Sequence, residues 1–119
     1  MSSAALVFAA MGEAVQGDGG KALSRKFKGI VVFKITDTNE VYTLDLKGPN
    51  FSVSKGEVDN ADLIVMVESE NMQALITGKL KPQQAFMKGK IKVKGKMNLA
   101  MKLTAVLSAT RKKLPQSKM

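Results

Sequence analysis

The 119-residue sequence lacks histidine, cysteine and tryptophan altogether. Histidine is the most frequent general base in catalysis, cysteine is a frequent nucleophile, and both are usual ligands of zinc. Two pairs of acidic residues are close in sequence, Asp37 with Glu40 and Asp59 with Asp62, but they fall in predicted turns or strand edges, where carboxylates are commonly solvated. We therefore expect a protein without catalytic residues, without a metal site and without a cofactor.

Long apolar runs are also missing. A membrane-spanning helix needs about 20 consecutive apolar residues, and the longest candidate, residues 4–11, is far shorter. This segment has no basic region before it and no credible cleavage site after it, so it does not resemble a secretory signal. The absence of cysteine agrees with a reducing compartment. We expect a soluble intracellular protein.

Positive charge is in excess, with 19 Lys and Arg against 10 Asp and Glu and a formal net charge of +9. A field of this size attracts anionic partners. Basic residues recur at Lys79, Lys81, Lys88, Lys90, Lys92, Lys94, Lys96 and Lys102, followed by Arg111, Lys112 and Lys113. The pattern fits either a solvated basic face or a docking patch. Aromatic residues that could stack on bases are scarce, so we expect no nucleic-acid partner and keep nucleic-acid binding as a rival hypothesis.

The hydrophobic period changes along the chain from helical to alternating and back. Helices are predicted from Ser3 to the glycines at positions 17, 19 and 20, over residues 21–28, from Ser69 to Gly78, from Pro82 to Gly89 and over residues 98–110. Strands are predicted at residues 31–36, 42–47, 51–53, 61–68 and 90–94, the first four as a meander. In the last strand the lysines should face water while Ile91 and Val93 face the core.

Apolar residues exceed what one thin core needs. The last predicted helix has a single charge, Lys102, and apolar residues on two sides, so we expect it to be covered on more than one side. Four methionines lie between residues 72 and 101. Methionine is flexible and polarisable, and a lining rich in it adapts to ligands of varied shape. Composition alone leaves two interpretations open, a ligand-binding lining and plain core packing.

The segment LITGKLKPQQAFMKGKIKVKG, residues 75–95, resembles the signature of the sterol carrier protein 2 domain. Shorter matches support the resemblance at residues 6–8, 33–35, 44–47, 61–62 and 99–103. It implies an α+β fold, in which helices pack on one face of a five-stranded, mostly antiparallel sheet and enclose a hydrophobic tunnel. It also implies a non-enzymatic intracellular carrier of sterols, fatty acids, fatty acyl-CoA or phospholipids. An accessory module that presents lipid substrates to peroxisomal oxidation enzymes is the alternative.

By the same resemblance, three groups of side chains bind the ligand. The sheet contributes Phe33, Ile35, Leu44 and Leu46. The helical side is formed by Met72, Leu75, Ile76, Leu80, Phe86 and Met87. The last helix closes the tunnel with Leu99, Leu103, Val106 and Leu107. The resemblance implies an apolar lipid ligand as partner. The basic residues around 88–96 and 111–113 add a transient contact with anionic membranes as a further expectation.

The sequence ends in Ser117-Lys118-Met119, which is similar to the Ser-Lys-Leu peroxisomal address. We expect residues 1–113 to form the lipid-binding domain and residues 114–119 to form a flexible tail that presents the tripeptide to the peroxisomal import receptor. The expected location is the peroxisome and also the cytoplasm. Family members are often fused to thiolase or dehydrogenase partners, whereas here we expect a monomeric carrier alone.

Overall fold

The computed structural model describes residues 3–47 and 51–113, with side chains from residue 5 onward. In chain order the elements are α1 (Ser3–Ala14), α2 (Gly17–Lys26), β1 (Ile30–Ile35), β2 (Glu40–Asp45), β3 (Ser52–Lys55), β4 (Leu63–Val67), α3 (Ser69–Thr77), α4 (Pro82–Met87), β5 (Ile91–Gly95), α5 (Met97–Ala100) and α6 (Leu103–Lys113). The mixture of helices and strands is the expected α+β class. The predicted tail, residues 114–119, lies outside the described residues.

The five strands form one sheet in the order β3-β2-β1-β4-β5. Three neighbouring pairs are antiparallel, and β1 with β4 is parallel, so the expected mostly antiparallel sheet is confirmed. The expected meander of the first four strands is wrong, because β4 pairs with β1 and not with β3. β3 has four residues and exposes most of its side chains, whereas β1 is buried along nearly its whole length. The apolar β4 therefore buries more surface beside β1.

Residues 56–62, the crossing segment, carry the chain from β3 over β2 and β1 to β4. Thr43 Oγ1 donates a hydrogen bond to the Gly56 carbonyl oxygen at 2.6 Å. Lys34 Nζ lies 3.4 Å from Glu57 Oε2. Val32 lies next to Lys34 and Thr43 on the outer face of the sheet, the face that points away from the helices. Because the crossing segment contacts both neighbours, it passes over Val32, and Val32 is fully buried.

Asp62 ends the crossing segment, and its side chain is only 10% exposed. Its Oδ2 accepts a hydrogen bond from the Ile30 N–H at 2.9 Å, while Lys96 Nζ and Lys47 Nζ lie 3.1 and 3.7 Å from Oδ1. The bond from Ile30 lowers the pKa of Asp62 against the opposing effect of burial, and the two lysines lower it further. The expectation of a solvated turn carboxylate is wrong for Asp62, which ties β1 to the chain following β2 and β5.

Asp37 is also tied to a distant element. It accepts hydrogen bonds from the Ser69 N–H at 2.9 Å and from Ser69 Oγ at 2.6 Å. The side-chain bond from Ser69, followed by the backbone bond, lowers the pKa of Asp37. The Ser69 hydroxyl donates to Asp37 and does not cap α3, whose N-cap position is occupied by Glu68. Asp37 thus links the β1–β2 turn to the start of α3.

Gly17, Gly19 and Gly20 lie inside α2. The expectation that these glycines end the first helix is therefore wrong. A Cβ atom at Gly20 would lie 1.9 Å from the Val15 carbonyl oxygen. α2 therefore approaches the end of α1 so closely that only glycine fits at position 20. Close approach of backbones, and not a helix stop, accounts for this residue.

Helices pack on one face of the sheet, as expected. The helix-facing side chains of the three central strands are each at most 2% exposed, apart from Tyr42 and Glu40: Val31, Phe33, Ile35, Leu44, Leu63, Val65 and Val67. On β5, Ile91 is buried and Val93 is half-buried on this face, while Lys92 and Lys94 are exposed on the other. The predicted orientation of the last strand is confirmed.

Candidate functional site

The sheet side of the predicted tunnel lies at the centre of the molecule. Phe33, Ile35, Leu44 and Leu46 are each at most 1% exposed and belong to one continuous apolar cluster. β1 and β2 are antiparallel neighbours, and alternate residues of the two strands point toward the helices. Leu46 follows β2 and is fixed by a hydrogen bond from its N–H to the Gly29 carbonyl oxygen at 3.0 Å. The sheet thus presents these four side chains as one apolar wall.

α3 forms a facing wall. Met72, Leu75 and Ile76 recur at three- and four-residue spacing, so they share one side of the helix, and all three are buried. The helix ends at Gly78, whose φ of 87° lies in the left-handed region that favours glycine. The turn brings the chain back, so that Leu80 is buried in the same apolar cluster. The predicted residues of α3 and the following turn therefore come together with the sheet wall.

The last predicted helix is divided in two, with a turn at residues 101–102 between α5 and α6. Its four predicted ligand-binding residues are buried in the same cluster: Leu99, Leu103, Val106 and Leu107. The expected cover on more than one side is wrong, because Thr104 and Ser108 are exposed. Ala105 and Ala109 are half-buried and have short side chains, which leave a groove beside α6.

Phe86 and Met87 lie apart from the other twelve predicted lining residues. α4 is a short helix that buries only Ala85. Successive helical residues are about 100° apart, so the next two side chains turn away from the face that Ala85 buries. Phe86 is 47% exposed and Met87 is 77% exposed. In this structure the two side chains contribute to the surface and not to the apolar interior.

Sequence reasoning missed the contribution of α1 to this interior. Val7, Phe8 and Met11 are buried in the same cluster. The Phe8 ring lies 5.1 Å from the Phe33 ring and stacks on the Tyr42 ring at 4.2 Å between centroids. The spacing of apolar residues in α1 predicts a buried helical stripe, but it contains no information on which strand side chains the stripe contacts.

A groove of about 430 Å³, the α2–α6 groove, opens beside the interior. Its floor is made by short or apolar side chains, including Ala14, Ala22 and Ala109. Three lysines line the same groove: Lys26, Lys112 and Lys113. A second depression of about 500 Å³ continues from it past Lys26 and Ala105, and is lined by Arg25, Lys102 and Met101. Both are open depressions that share Lys26 and Ala105 and have basic residues at their edges.

The single tyrosine is the most perturbed titratable group in this region. Burial raises the pKa of Tyr42 to about 12, and the hydrogen bond from its hydroxyl to Glu40 Oε2 at 2.8 Å adds to the effect. A phenol with so high a pKa stays protonated at neutral pH, so it holds a position in the wall and does not act as a base.

Among the described residues, acidic side chains form no group of three that could hold a metal ion.

None of the helices within residues 3–47 and 51–113 has the length and apolarity required to cross a bilayer.

The sequence profile of the SCP-2 sterol transfer family matches residues 8–108. This chain belongs to that family. Sterol carrier protein 2 of Bos taurus is 37% identical over 90 residues, which are 72% of this chain and 17% of the relative. Hydroxysteroid dehydrogenase-like protein 2 of Xenopus laevis is 43% identical over 72 residues, 60% of this chain and 17% of the relative. The chain therefore spans about one sixth of the length of these curated relatives.

Solved structures agree with the family assignment. The apo form of sterol carrier protein 2 from Yarrowia lipolytica superposes with a TM-score of 0.74 at 25% identity, covering 88% of this chain and 89% of that one. Palmitated SCP2L2 from Aedes aegypti superposes with a TM-score of 0.65 at 28% identity, covering 87% and 92%. The fold described above is thus the fold of solved sterol carrier protein 2 structures.

Proposed function

We propose that this family member is a non-enzymatic lipid carrier, whose ligand occupies the space between the sheet and the helices. The observation that supports it most directly is the convergence of twelve predicted lining residues, drawn from positions 33 to 107, on one apolar cluster. A buried core is common to all globular domains, so the cluster alone would not indicate ligand binding. It supports the proposal together with the family to which the chain belongs and the palmitated relative of the same fold.

The interior is closely occupied by its own side chains, since the lining residues are each at most 9% exposed. A ligand must therefore displace side chains or move the helical wall away from the sheet. Burial of a ligand's apolar body contributes about 25 cal/mol per Å² of apolar surface removed from water. Met72, in the centre of the helical wall, is suited to adapt to different shapes. The ligand classes we propose are sterols, fatty acids, fatty acyl-CoA and phospholipids.

The cationic rim of the α2–α6 groove supplies a place for an anionic head group. Lys26, Lys112 and Lys113 are all exposed and line a groove with an apolar floor. A carboxylate or phosphate would lie among the lysines while its apolar chain enters between the helices. An uncharged sterol would gain nothing from the same lysines.

The carrier function is tested by native mass spectrometry of the purified protein, in which co-purified lipid is expected, and by titration with a fluorescent fatty acid. K26Q/K112Q should weaken binding of the fatty acid about fivefold or more and leave binding of an uncharged fluorescent sterol unchanged. K21Q/K28Q removes two exposed lysines outside the groove and serves as the charge-matched control. Absence of both co-purified lipid and saturable uptake would refute the carrier function.

An accessory role is the second candidate. The Xenopus laevis relative, named for hydroxysteroid dehydrogenase, is about six times as long as the region it shares with this chain. The outer face of the sheet carries half-buried Ile64 and Met66, which could meet an enzyme domain. A saturable contact with a peroxisomal oxidation enzyme, lost in I64S/M66S, would support this role. Nucleic-acid binding, the remaining rival, predicts a salt-dependent shift of a labelled oligonucleotide.

Ser117-Lys118-Met119 lies outside the described residues. We propose that this tripeptide directs the protein to the peroxisome through the import receptor, with a fraction remaining in the cytoplasm. A fluorescent fusion that leaves the C-terminus free should be punctate, and deletion of residues 117–119 should make it diffuse. A monomeric state is proposed as well, and the molar mass in solution tests it.

A further inference from the structure

The charges of the chain are divided unevenly along the sequence. All ten acidic residues precede position 71, whereas twelve of the nineteen basic residues follow it. The C-terminal part therefore has no carboxylate side chain of its own, and acidic residues reach it only from earlier elements: Asp62 contacts Lys96, and Glu68 and Glu70 line a depression together with Lys90 and Lys92. This part begins inside α3 and includes α4, β5 and the last two helices.

α4 exposes two adjacent large apolar side chains within this cationic part, in which α5 and the turn after it also expose Met97 and Met101. Phe86 and Met87 are 47% and 77% exposed. The helix is anchored from within by Leu80, Ala85 and Ile91, which all belong to the buried cluster. The Lys90 N–H donates to the Ala85 carbonyl oxygen at 2.8 Å, which closes the turn after the helix. The two apolar side chains are therefore held outward on a fixed support.

Exposed lysines flank these two side chains at both ends of the helix. Lys81 is the N-cap residue and Lys88 is the C-cap residue, with Lys79 and Lys90 two positions further out. A six-residue helix is about 9 Å long. The flanking lysines are therefore no further from Phe86 and Met87 than the width of one or two lipid head groups. Apolar side chains with cations on either side are typical of proteins that insert shallowly into an anionic bilayer surface.

From this arrangement we propose that α4 is a membrane-docking surface. Phe86 and Met87 enter the interfacial region of the bilayer, and Lys79, Lys81, Lys88 and Lys90 contact anionic lipid head groups. The proposal rests on the carrier function, since it assigns the site from which lipid is collected or delivered. α4 continues from the α3 wall through Leu80, so docking places that wall of the interior against the lipid source.

Direct insertion can be measured because the sequence has no tryptophan. M87W should show a blue-shifted emission on vesicles of phosphatidylcholine mixed with phosphatidylserine, and little shift on phosphatidylcholine alone. M101W is the matched control, since Met101 is also an exposed methionine in the cationic part, at 61% exposure. An equal shift of both variants, or no shift of M87W, would overturn docking through α4.

Binding of the full chain to the same vesicles supplies the second test. F86S/M87S should lower the partition onto mixed vesicles about tenfold or more, whereas M97S/M101S should leave it nearly unchanged. K81Q/K88Q should lower it about fivefold for each lysine removed, and K21Q/K28Q should lower it much less. Equal losses in test and control variants would indicate a diffuse electrostatic attraction and would contradict the proposal.

Different measurements would refute the carrier function and the membrane-docking surface. Uptake of a fluorescent fatty acid by the wild-type protein in vesicle-free solution reports the carrier function alone. Intact uptake without vesicle binding overturns the docking surface and leaves the carrier. Vesicle binding without any lipid uptake overturns the carrier function, and with it the assigned purpose of the surface. Binding of α4 to an oligonucleotide or to a protein in place of vesicles would also overturn the proposal.

Discussion

Removal of the Asp62 carboxylate should lower the free energy of unfolding by an amount that can be estimated from its hydrogen bond and its contacts with lysine. Asp62 is only 10% exposed in its side chain, accepts a hydrogen bond from the Ile30 N–H at 2.9 Å, and lies 3.1 Å from Lys96 Nζ. A hydrogen bond to a charged group contributes about 1.5–3 kcal/mol. D62A leaves the Ile30 N–H without its acceptor and should lower the free energy of unfolding by about 2–4 kcal/mol. D62N keeps an acceptor and should cost about 1–2 kcal/mol.

Urea denaturation at neutral pH measures both values. D59N is the matched control, because Asp59 is an exposed carboxylate in the same crossing segment, and its effect should stay within about 0.5 kcal/mol. Comparable losses in D59N and D62A would contradict the assignment of Asp62 as the tie between β1, the chain after β2, and β5.

The pH dependence provides a further check on the same residue. The pKa of Asp62 is lowered in the folded protein relative to its usual value of 3.8. Its ionised form therefore stabilises the fold above pH 3.8, and this contribution is lost as the pH falls through the folded-state pKa. The stability difference between wild type and D62N should shrink in acid. A difference that stays constant down to acidic pH would show that the negative charge is not what stabilises the junction.

Two further predictions concern the α1–sheet contact and the α1–α2 junction. Tyr42 is the only tyrosine, so spectrophotometric titration should give a midpoint of about 12 in the folded protein and about 10 in guanidinium chloride; a folded midpoint near 10 would contradict its burial against Glu40. G20A should destabilise the protein by about 2 kcal/mol or more, because its Cβ would overlap the Val15 carbonyl oxygen. G12A, whose Cβ would lie 3.8 Å from Val53, should change stability by less than about 1 kcal/mol; equal effects would refute the close approach.

Local periodicity predicted most elements because burial in them repeats at a fixed interval. The alternation in β1 and β5 identified the residues that face the helices, and the spacing in α3 identified its buried side. Pairing between strands was harder to predict. β4 follows β3 in sequence but pairs with β1, because β1 offers a longer apolar surface. That preference depends on the relative burial of two strands and not on the spacing of residues within either.

The candidate site was predictable for residues that continue a regular apolar spacing and not for the two residues of α4. Ten lining residues lie on β1, β2, α3 or α6 or directly follow β2, while Leu80 lies in the turn after α3 and Leu99 on the four-residue α5, and all twelve are buried. Phe86 and Met87 lie on the six-residue α4, where one buried residue, Ala85, decides which side faces inward. Asp62 differs again, since its carboxylate is engaged by residues 32 and 34 positions away that no local pattern connects to it.

The interior is filled by its own side chains, and this packing affects how strongly a carrier of this kind would bind its ligands. Its affinity for a lipid is the difference between the contacts that the ligand makes and the contacts that the lining residues make with one another. Both are apolar and nonspecific, so the difference is small and varies little with the identity of the ligand. If the proposed carrier function holds, broad selectivity and ready release would follow from the same packing. The exposed apolar residues of α4 would supply specificity of a different kind, by selecting the membrane at which exchange occurs and not the molecule exchanged.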